Sequence, residues 1–286
     1  MARVLVVGVG GALGCEIAIN ARQLGHTVTA TYRTNSARVS FASRSGVKTE
    51  HLELNDPGGL EQLIDGADIS IFTPILTLSK TAARFVRDKR AVFFSSNNVA
   101  IDQTADVYRE LRDAEAYVSG SAPNALIIRP TMIYGFPGDG NISRLAAWMQ
   151  RSPIFAMPGD GSALQQPIFY RDLAQIALSC ALEEPKPEPI VYAAGPISIS
   201  QSQLFETVGR ARGGQKTIFP IPLKPLLLAV AGLERIGLRG PVSHAQLRRV
   251  LSDKRPAGNP VRLGQTDLSA GVAAICDALD DRQARS

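Results

Sequence analysis

Val4-Leu5-Val6-Val7-Gly8-Val9-Gly10-Gly11-Ala12-Leu13-Gly14 stands at the head of the chain. Four β-favouring residues run into a glycine-dense turn, after which Ala12, Leu13, Ile17, Ala18 and Leu24 recur at helical spacing. A strand, a tight turn and a helix within about 25 residues open a βαβ unit of the kind that binds a dinucleotide. Gly8 permits the sharp turn, a side-chain-free Gly10 or Gly11 lets the backbone approach a pyrophosphate, and Gly14 lets the helix pack closely on the strand. Ala12 and Leu13 begin a helix whose first N–H groups and partial positive charge face the phosphates.

The second strand, His26 to Thr31, ends at Tyr32-Arg33. This tip lies roughly 20 residues after the glycines, where an acidic residue holds the ribose 2′-hydroxyl of NAD. Here the carboxylate is missing, and Arg33, helped by Arg38, can face a 2′-phosphate instead. The expected cofactor is therefore NADP rather than NAD. A third strand over Lys48 to Leu54 places Glu53 and Leu54 near the adenine, and an Asn55 to Gly59 turn precedes a helix over Leu60 to Asp65. A fourth strand, Asp68 to Thr73, ends with Thr73-Pro74 beside the glycine turn. A helix through Lys80 to Asp88 leads to a fifth strand, Ala91 to Ser96. Strand and helix alternate throughout, and the strands are almost continuously apolar. The fold class predicted is α/β, a doubly wound parallel sheet covered on both faces.

Composition narrows the function classes. The 286 residues carry a net charge of +5, which mildly favours anionic ligands. The basic residues are scattered, with no Lys/Arg run and no interleaved aromatics, so nucleic acid is not expected as a partner. Cys15, Cys180 and Cys276 are far apart, as are His26, His51 and His244, which supports neither a disulfide framework nor a metal site; three buried thiols are expected. With the first strand beginning at residue 3 or 4 there is no room for a signal peptide, and a cytoplasmic location is expected.

Beyond the first five strands the chain resembles a known family. The pattern Gly8-x-x-Gly11-x-x-Gly14, the strand end Phe93-Phe94-Ser95-Ser96-Asn97-Asn98-Val99, the stretch Ile127-Ile128-Arg129-Pro130-Thr131-Met132-Ile133-Tyr134-Gly135 and the stretch Gln166 to Ala174 look like the extended short-chain dehydrogenase/reductases. They follow that family's order over most of residues 1–195. The likeness is greatest to the NAD-dependent epimerase/dehydratase group and its atypical members, among them NmrA-like proteins and an accessory subunit of respiratory complex I. It implies a Rossmann domain over residues 1–135, completed by about 166–195, and a smaller, interleaved substrate lobe formed by 136–165 and 196–286. Arg129-Pro130 marks where the chain leaves the nucleotide sheet, and both residues count among the cofactor contacts.

The resemblance also implies a catalytic group. The family's active-site hydroxyl corresponds to Ser96, and its Tyr-x-x-x-Lys motif to Tyr108-Arg109-Glu110-Leu111-Arg112, with Arg112 in the lysine position. Residues 108 and 112 share one helix face. A cation about 5 Å from a phenol oxygen supplies roughly 3 kcal/mol at an effective dielectric of about 20, so on charge alone Arg112 can do the lysine's work. A planar guanidinium fork is not a compact ammonium, however, and the lysine also bonds the nicotinamide ribose. Only 12 positions separate Ser96 from Tyr108, shorter than in extended members. Asn97 and Asn98 stand where dehydratases of this group carry an acid and a base, and neutral amides argue against dehydration.

The rest of the chain reads as connector and small lobe. The Gly135 to Gly140 loop and a helix through Asn141 to Gln150, with Leu145, Trp148 and Met149 as its apolar face, line the substrate cleft by resemblance. A short strand is expected at Gln166 to Tyr170 and a helix from Asp172 to Leu182. Glu183 to Pro189 reads as a surface connector, and Ile190 to Ala194 as an edge strand of the nucleotide sheet. Ser200 to Arg212 makes an amphipathic helix, and Leu226 to Leu233 is the most apolar run. That run falls far short of the roughly 20 residues that span a bilayer. A buried helix is the expectation there, with a homodimer or membrane-surface contact as alternatives. Residues 252–265 are polar and rich in Pro and Gly, and a last helix covers Leu268 to Leu279.

Two function classes follow. One is an NADP-dependent oxidoreductase or epimerase that moves hydride to or from a nucleotide-sugar or other small carbonyl or hydroxyl substrate, with Tyr108 handling the proton and Ser96 orienting the oxygen. The other is an NADP-binding sensor or assembly subunit with little or no turnover, which Arg112 and the short loop favour.

Overall fold

Eight parallel strands form the main sheet of the computed structural model, which describes residues 1–184, 188–214, 216–222 and 252–285 together with Leu227, Val230 and Gly232. The chain divides into two units: Met1–Thr131 with Tyr170–Ala194 and Pro256–Gly264, and Met132–Phe169 with Gly195–Arg255 and Gln265–Ser286.

In the first unit the strands are β1 (Arg3–Val7), β2 (Thr27–Tyr32), β3 (Lys48–His51), β4 (Ile69–Ile75), β5 (Arg90–Phe94), β6 (Ala125–Pro130), β7 (Ile190–Ala194) and β8 (Val261–Leu263). Their spatial order is β8-β7-β6-β5-β4-β1-β2-β3. The chain winds outward twice from β1, the topology that leaves a crevice at the strand C-termini where the winding reverses. Five long helices of this unit are α1 (Ala12–Gln23), α2 (Ala37–Arg44), α3 (Pro57–Asp65), α4 (Asp106–Ser121) and α5 (Tyr170–Leu182). Central strands are apolar because both faces are covered: Val4 to Val7 are all buried, as are Ile71, Phe72, Phe93 and Ile127. Phe72 and Phe93, paired in register, stack with ring centroids 4.6 Å apart at the middle of the sheet. Leu60, Ile64, Leu111 and Val118, from α3 and α4, pack into the same cluster.

Several boundaries differ from expectation for local physical reasons. Helix α3 begins at Pro57 rather than Leu60, because the Asp56 carboxylate accepts the Gly59 N–H and proline suits a first helical turn. Strand β4 runs on to Ile75 through an irregularity between Phe72 and Ile75, where Pro74 needs no ladder partner. The helix expected over Lys80 to Asp88 is three short pieces, Leu76–Ser79, a 3-10 turn at Lys80–Ala82 and Ala83–Val86. The edge of the sheet is β8 and not Ile190–Ala194: Tyr192 to Ala194 pair in parallel with Val261 to Leu263. A polar stretch rich in Pro and Gly thus supplies a strand, because an edge strand needs only one paired side. Asn97 Oδ1 accepts the Ala257 N–H at 3.0 Å, and Gly258 lies against the Tyr192 ring, where a Cβ would stand 2.7 Å away.

The second unit packs three helices, Ile142–Arg151, Gln201–Ala211 and Leu268–Arg285, against one another. The last extends through the charged tail, six residues beyond the expected Leu279. Ser200 and Gln203 form a reciprocal capping box on the second helix. In the first, Ile142, Ala146 and Met149 face inward, whereas Trp148 is 43% exposed under the Arg144 guanidinium. A parallel pair unforeseen in the sequence, Ile154–Pro158 with Thr217–Ile221, completes this unit beside two short pairings, Ile133–Tyr134 with Ile168–Phe169 and Leu164–Gln165 with Ile199–Ser200. Most of the Leu226 to Leu233 run and the centre of the Glu183 to Pro189 connector lie outside the described residues. No described helix is long and apolar enough to cross a membrane.

Candidate functional site

The glycine turn is built by backbone hydrogen bonds. Gly8 takes φ +101°, its N–H and that of Val9 both donate to Thr31 O (3.0 and 2.8 Å), and Gly11 N–H donates back to Gly8 O at 3.1 Å. The Thr73 hydroxyl donates to Val7 O at 2.8 Å and so ties the end of β4 to the turn. The four glycines divide into two kinds. A Cβ at Gly14 would lie 2.4 Å from Gly8 O, and one at Gly8 2.5 Å from Thr73 Oγ1, so the fold itself excludes side chains there. At Gly10 and Gly11 the nearest protein atoms would be 3.7 and 3.5 Å away, ordinary contact distances. Among the described residues nothing demands glycine at those two positions, where the bare backbone suits close approach to a ligand. Gly11 also offers α1 no capping side chain, which leaves the first helical N–H groups to another acceptor.

A cleft of about 820 Å³ opens on this turn, lined by Gly8, Gly10 and Gly11, by Tyr32 and Arg33 at the end of β2, by Glu53 and Leu54 after β3, and by Pro74 near the end of β4. These eight sequence-predicted residues are brought together. Arg33 is exposed and makes no ion pair with a described carboxylate. The wall also includes Thr34, Asn35, Ser36, Asn55, Leu78, Arg84 and Phe85, none singled out in the sequence. Ser36 carried a local signal, since it caps α2 by accepting the Val39 N–H. Arg84 carried none; its guanidinium lies 4.6 Å from the Phe85 ring centroid. Ala12, Leu13 and Gly14 sit behind the turn as the first residues of α1, and Thr73 braces it; none of these four lines the cleft. Arg38 is in α2 outside the cleft wall, its carbonyl accepting the Cys15 thiol.

Two arginines are committed elsewhere. Arg129, expected among the cofactor contacts, makes a bidentate ion pair with Glu115: Nε donates to Oε1 at 2.9 Å and Nη2 to Oε2. Its Nη1 donates to the Tyr192 hydroxyl at 2.6 Å. The hydrogen bond and charge of Glu115 push the Arg129 pKa up against its desolvation. Pro130 is buried, its carbonyl accepting the Asn97 N–H at 3.0 Å. Arg112 donates from Nη1 to the carbonyls of Val99 and Asp102 (3.1 Å each) and from Nη2 to that of Gln103 (3.3 Å). It thereby caps the one-turn helix Asn98–Ile101, a task suited to a fork of fixed donors.

Ser96 and Tyr108 belong to one hydrogen-bonded group whose bridge is Asn98. The Asn98 backbone N–H donates to Ser96 Oγ at 3.2 Å, and its side-chain Nδ2 donates to the Tyr108 hydroxyl at 2.9 Å. The three cysteines are free and buried, and burial pushes each thiol pKa up, which keeps them protonated and inert.

A parallel sheet with a glycine turn and an open crevice at its strand ends defines an α/β protein of the Rossmann fold class. No family model matches the sequence, and no curated protein does. Solved structures do match. UDP-glucose 4-epimerase from Thermotoga maritima, solved with UDP-glucose, is similar over 98% of this chain and 99% of its own, at 12% identity and a TM-score of 0.69. UDP-glucose 4-epimerase from Thermus thermophilus, in complex with NAD, matches over 97% and 99% at 15% identity and a TM-score of 0.64. UDP-N-acetylglucosamine 4-epimerase from Methanobrevibacter ruminantium, in complex with UDP-N-acetylmuramic acid, matches over 98% and 99% at 13% identity and a TM-score of 0.69. At these identities the likeness is one of fold: the chain shares the Rossmann fold of these proteins over nearly its whole length.

Proposed function

We propose that this protein is an NADP-dependent oxidoreductase or epimerase acting by hydride transfer on a nucleotide-sugar or other small carbonyl or hydroxyl compound. The observation that supports the reading is the cleft itself: Gly10 and Gly11 leave the turn's backbone open to a ligand, and Arg33 stands at the β2 tip without a carboxylate partner among the described residues. Gly8, Gly10, Gly11, Tyr32, Arg33, Glu53, Leu54 and Pro74 hold the dinucleotide in this reading. The nicotinamide, when bound, supplies or accepts hydride. The chain's own part is to orient a substrate oxygen at Ser96 and to move a proton at the Tyr108 phenol oxygen. Asn97 and Asn98 are neutral, so no acid–base pair for dehydration stands at these two positions.

Titration of the purified protein with NADPH and NADH tests the cofactor. Tighter binding of NADPH is expected, and Arg33→Ala is expected to weaken it by about 10–100-fold, the worth of one charge-assisted contact, while NADH affinity stays within about twofold. A wild-type preference for NADH would overturn the NADP assignment. A panel of aldehydes, ketones and nucleotide-sugars then tests turnover. Tyr108→Phe is expected to lower kcat by about 100-fold or more, in line with the loss of a general acid–base; undiminished turnover would remove Tyr108 from the chemistry.

A second reading has its own observation. With the Arg112 guanidinium on three backbone carbonyls, no lysine-like cation is held for a nicotinamide ribose at that position. A cofactor-binding sensor or assembly subunit would bind NADPH as above and turn over nothing in the panel.

A further inference from the structure

We infer that Asn98 is a positioning residue that fixes the Tyr108 hydroxyl, taking over the orienting task for which the residue one turn after the tyrosine is not placed. The inference rests on the oxidoreductase reading above. Three observations carry it. Asn98 Nδ2 donates to the Tyr108 hydroxyl at 2.9 Å, which fills an acceptor site on the phenol oxygen and sets the direction in which its O–H can point. The same residue's backbone N–H donates to Ser96 Oγ at 3.2 Å, so one residue registers both hydroxyls against the end of β5. Arg112, on the Tyr108 face of α4, donates instead to Val99, Asp102 and Gln103 carbonyls. Val99 lies in the helical turn that carries Asn98, and Asp102 and Gln103 directly follow it, so the arginine secures that turn rather than the phenol.

The arrangement has a chemical consequence. An amide N–H can only donate to the phenol oxygen, whereas a carboxylate in its place could only accept the phenol proton. The neutral amide of Asn98 therefore does not itself take up the phenol proton. The isosteric carboxylate introduced by Asn98→Asp would hold the ring equally well and engage that proton itself.

The test pairs kinetics with a spectroscopic readout. Protein labelled with ¹³C at tyrosine Cζ gives a Tyr108 resonance identified by its loss in Tyr108→Phe. Asn98→Ala and Asn98→Asp are expected to move that resonance in different directions. Both are expected to leave NADPH affinity within about twofold and KM little changed, and to lower kcat by about 10–100-fold, as for an interaction made in the transition state. Asn98→Ala combined with Tyr108→Phe is expected to be no slower than Tyr108→Phe alone, because the two residues act as one unit. Wild-type kcat in either Asn98 variant, or additive losses in the double variant, would overturn the inference while the functional reading stands on Tyr108→Phe. Should no substrate turn over in the wild-type protein, the functional reading falls, and the Tyr108 resonance alone decides: a shift in both Asn98 variants upholds the contact, and an unmoved one ends it. A variant that melts early is judged by the resonance below its transition.

Discussion

Glu115→Ala is expected to destabilise the protein by about 3–5 kcal/mol, the cost of leaving a buried charge without its partner. The Glu115 and Arg129 side chains are 7% and 14% exposed and meet edge to edge, with two parallel N–H···O bonds. Among the described residues few ion pairs are so enclosed; Arg3–Asp68, with equally good geometry, is roughly half exposed and screened by water. The pair also binds three elements. Glu115 comes from α4, Arg129 from β6, and the guanidinium continues to the Tyr192 hydroxyl on β7. Tyr192 in turn is the surface on which Gly258 rests, so loss of Glu115 should loosen the approach to β8 as well. Chemical denaturation checks the magnitude, and amide exchange of residues 190–194 and 256–263 checks the location. Glu115→Gln, which keeps one acceptor, should cost less than Glu115→Ala. A loss below about 1 kcal/mol, the worth of an exposed pair, would show that Arg129 finds water or another partner at no cost. The result would also separate this arginine from the cofactor: Glu115→Ala should alter NADPH affinity no more than the fold is loosened.

The second large effect separates the glycines by cause. Gly14→Ala is expected to cost about 3 kcal/mol or more, at or beyond the top of the usual range for an overpacked core, because the added carbon meets backbone and cannot be accommodated by a rotamer change. The clash is with Gly8 O at 2.4 Å, and Gly8 is itself fixed by φ +101° and by hydrogen bonds to the end of β2. Gly10→Ala and Gly11→Ala should behave in the opposite way. With the nearest protein atoms 3.7 and 3.5 Å away, each variant should melt within a few degrees of wild type. Each should nevertheless lose about 10-fold or more in dinucleotide affinity, since a methyl group then occupies the approach to a pyrophosphate. Thermal melting and cofactor titration on the four single variants give a two-way pattern. Stability loss at Gly8 and Gly14 with affinity loss at Gly10 and Gly11 is the expected result. Affinity retained in both Gly10→Ala and Gly11→Ala would mean that the ligand does not lie on this turn.

Much of the architecture could be read from local pattern. Apolar runs such as Val4 to Val7 and Ala125 to Ile128 are buried on both faces because a parallel sheet is covered on both sides, and that requirement is written into consecutive residues. The turn at Gly8 to Gly14 is equally local: its hydrogen bonds close within a few residues or onto the neighbouring strand. The eight cleft residues named from the sequence all lie on this turn or directly at a strand's C-terminal end, where topology alone places them around a crevice.

Side-chain alliances between distant segments were not legible. Arg129 followed an apolar strand as a cofactor contact would, yet its partner Glu115 sits on a helix and its second partner on β7, and no spacing rule couples those positions. Arg112 kept the expected helical offset from Tyr108, but an arginine's reach let it find three carbonyls of a preceding turn. Asn98 looked like a mere absence of acid, and its role as the bridge between Ser96 and Tyr108 needed both hydroxyls in space. Arg84 and Phe85 entered the cleft wall because the segment after β4 folds back over it. The strand β8 is the extreme case: Val261 to Leu263 has little strand character of its own and becomes one by pairing with the open edge of β7. Backbone conformation and burial are set largely by neighbours along the chain, so the alternation of strands and helices and the glycine turn followed from residues in sequence. Ion pairs, edge strands and the hydrogen-bond partners of long side chains are set by whichever segments the fold brings within about 3 Å, and there the folded chain chose.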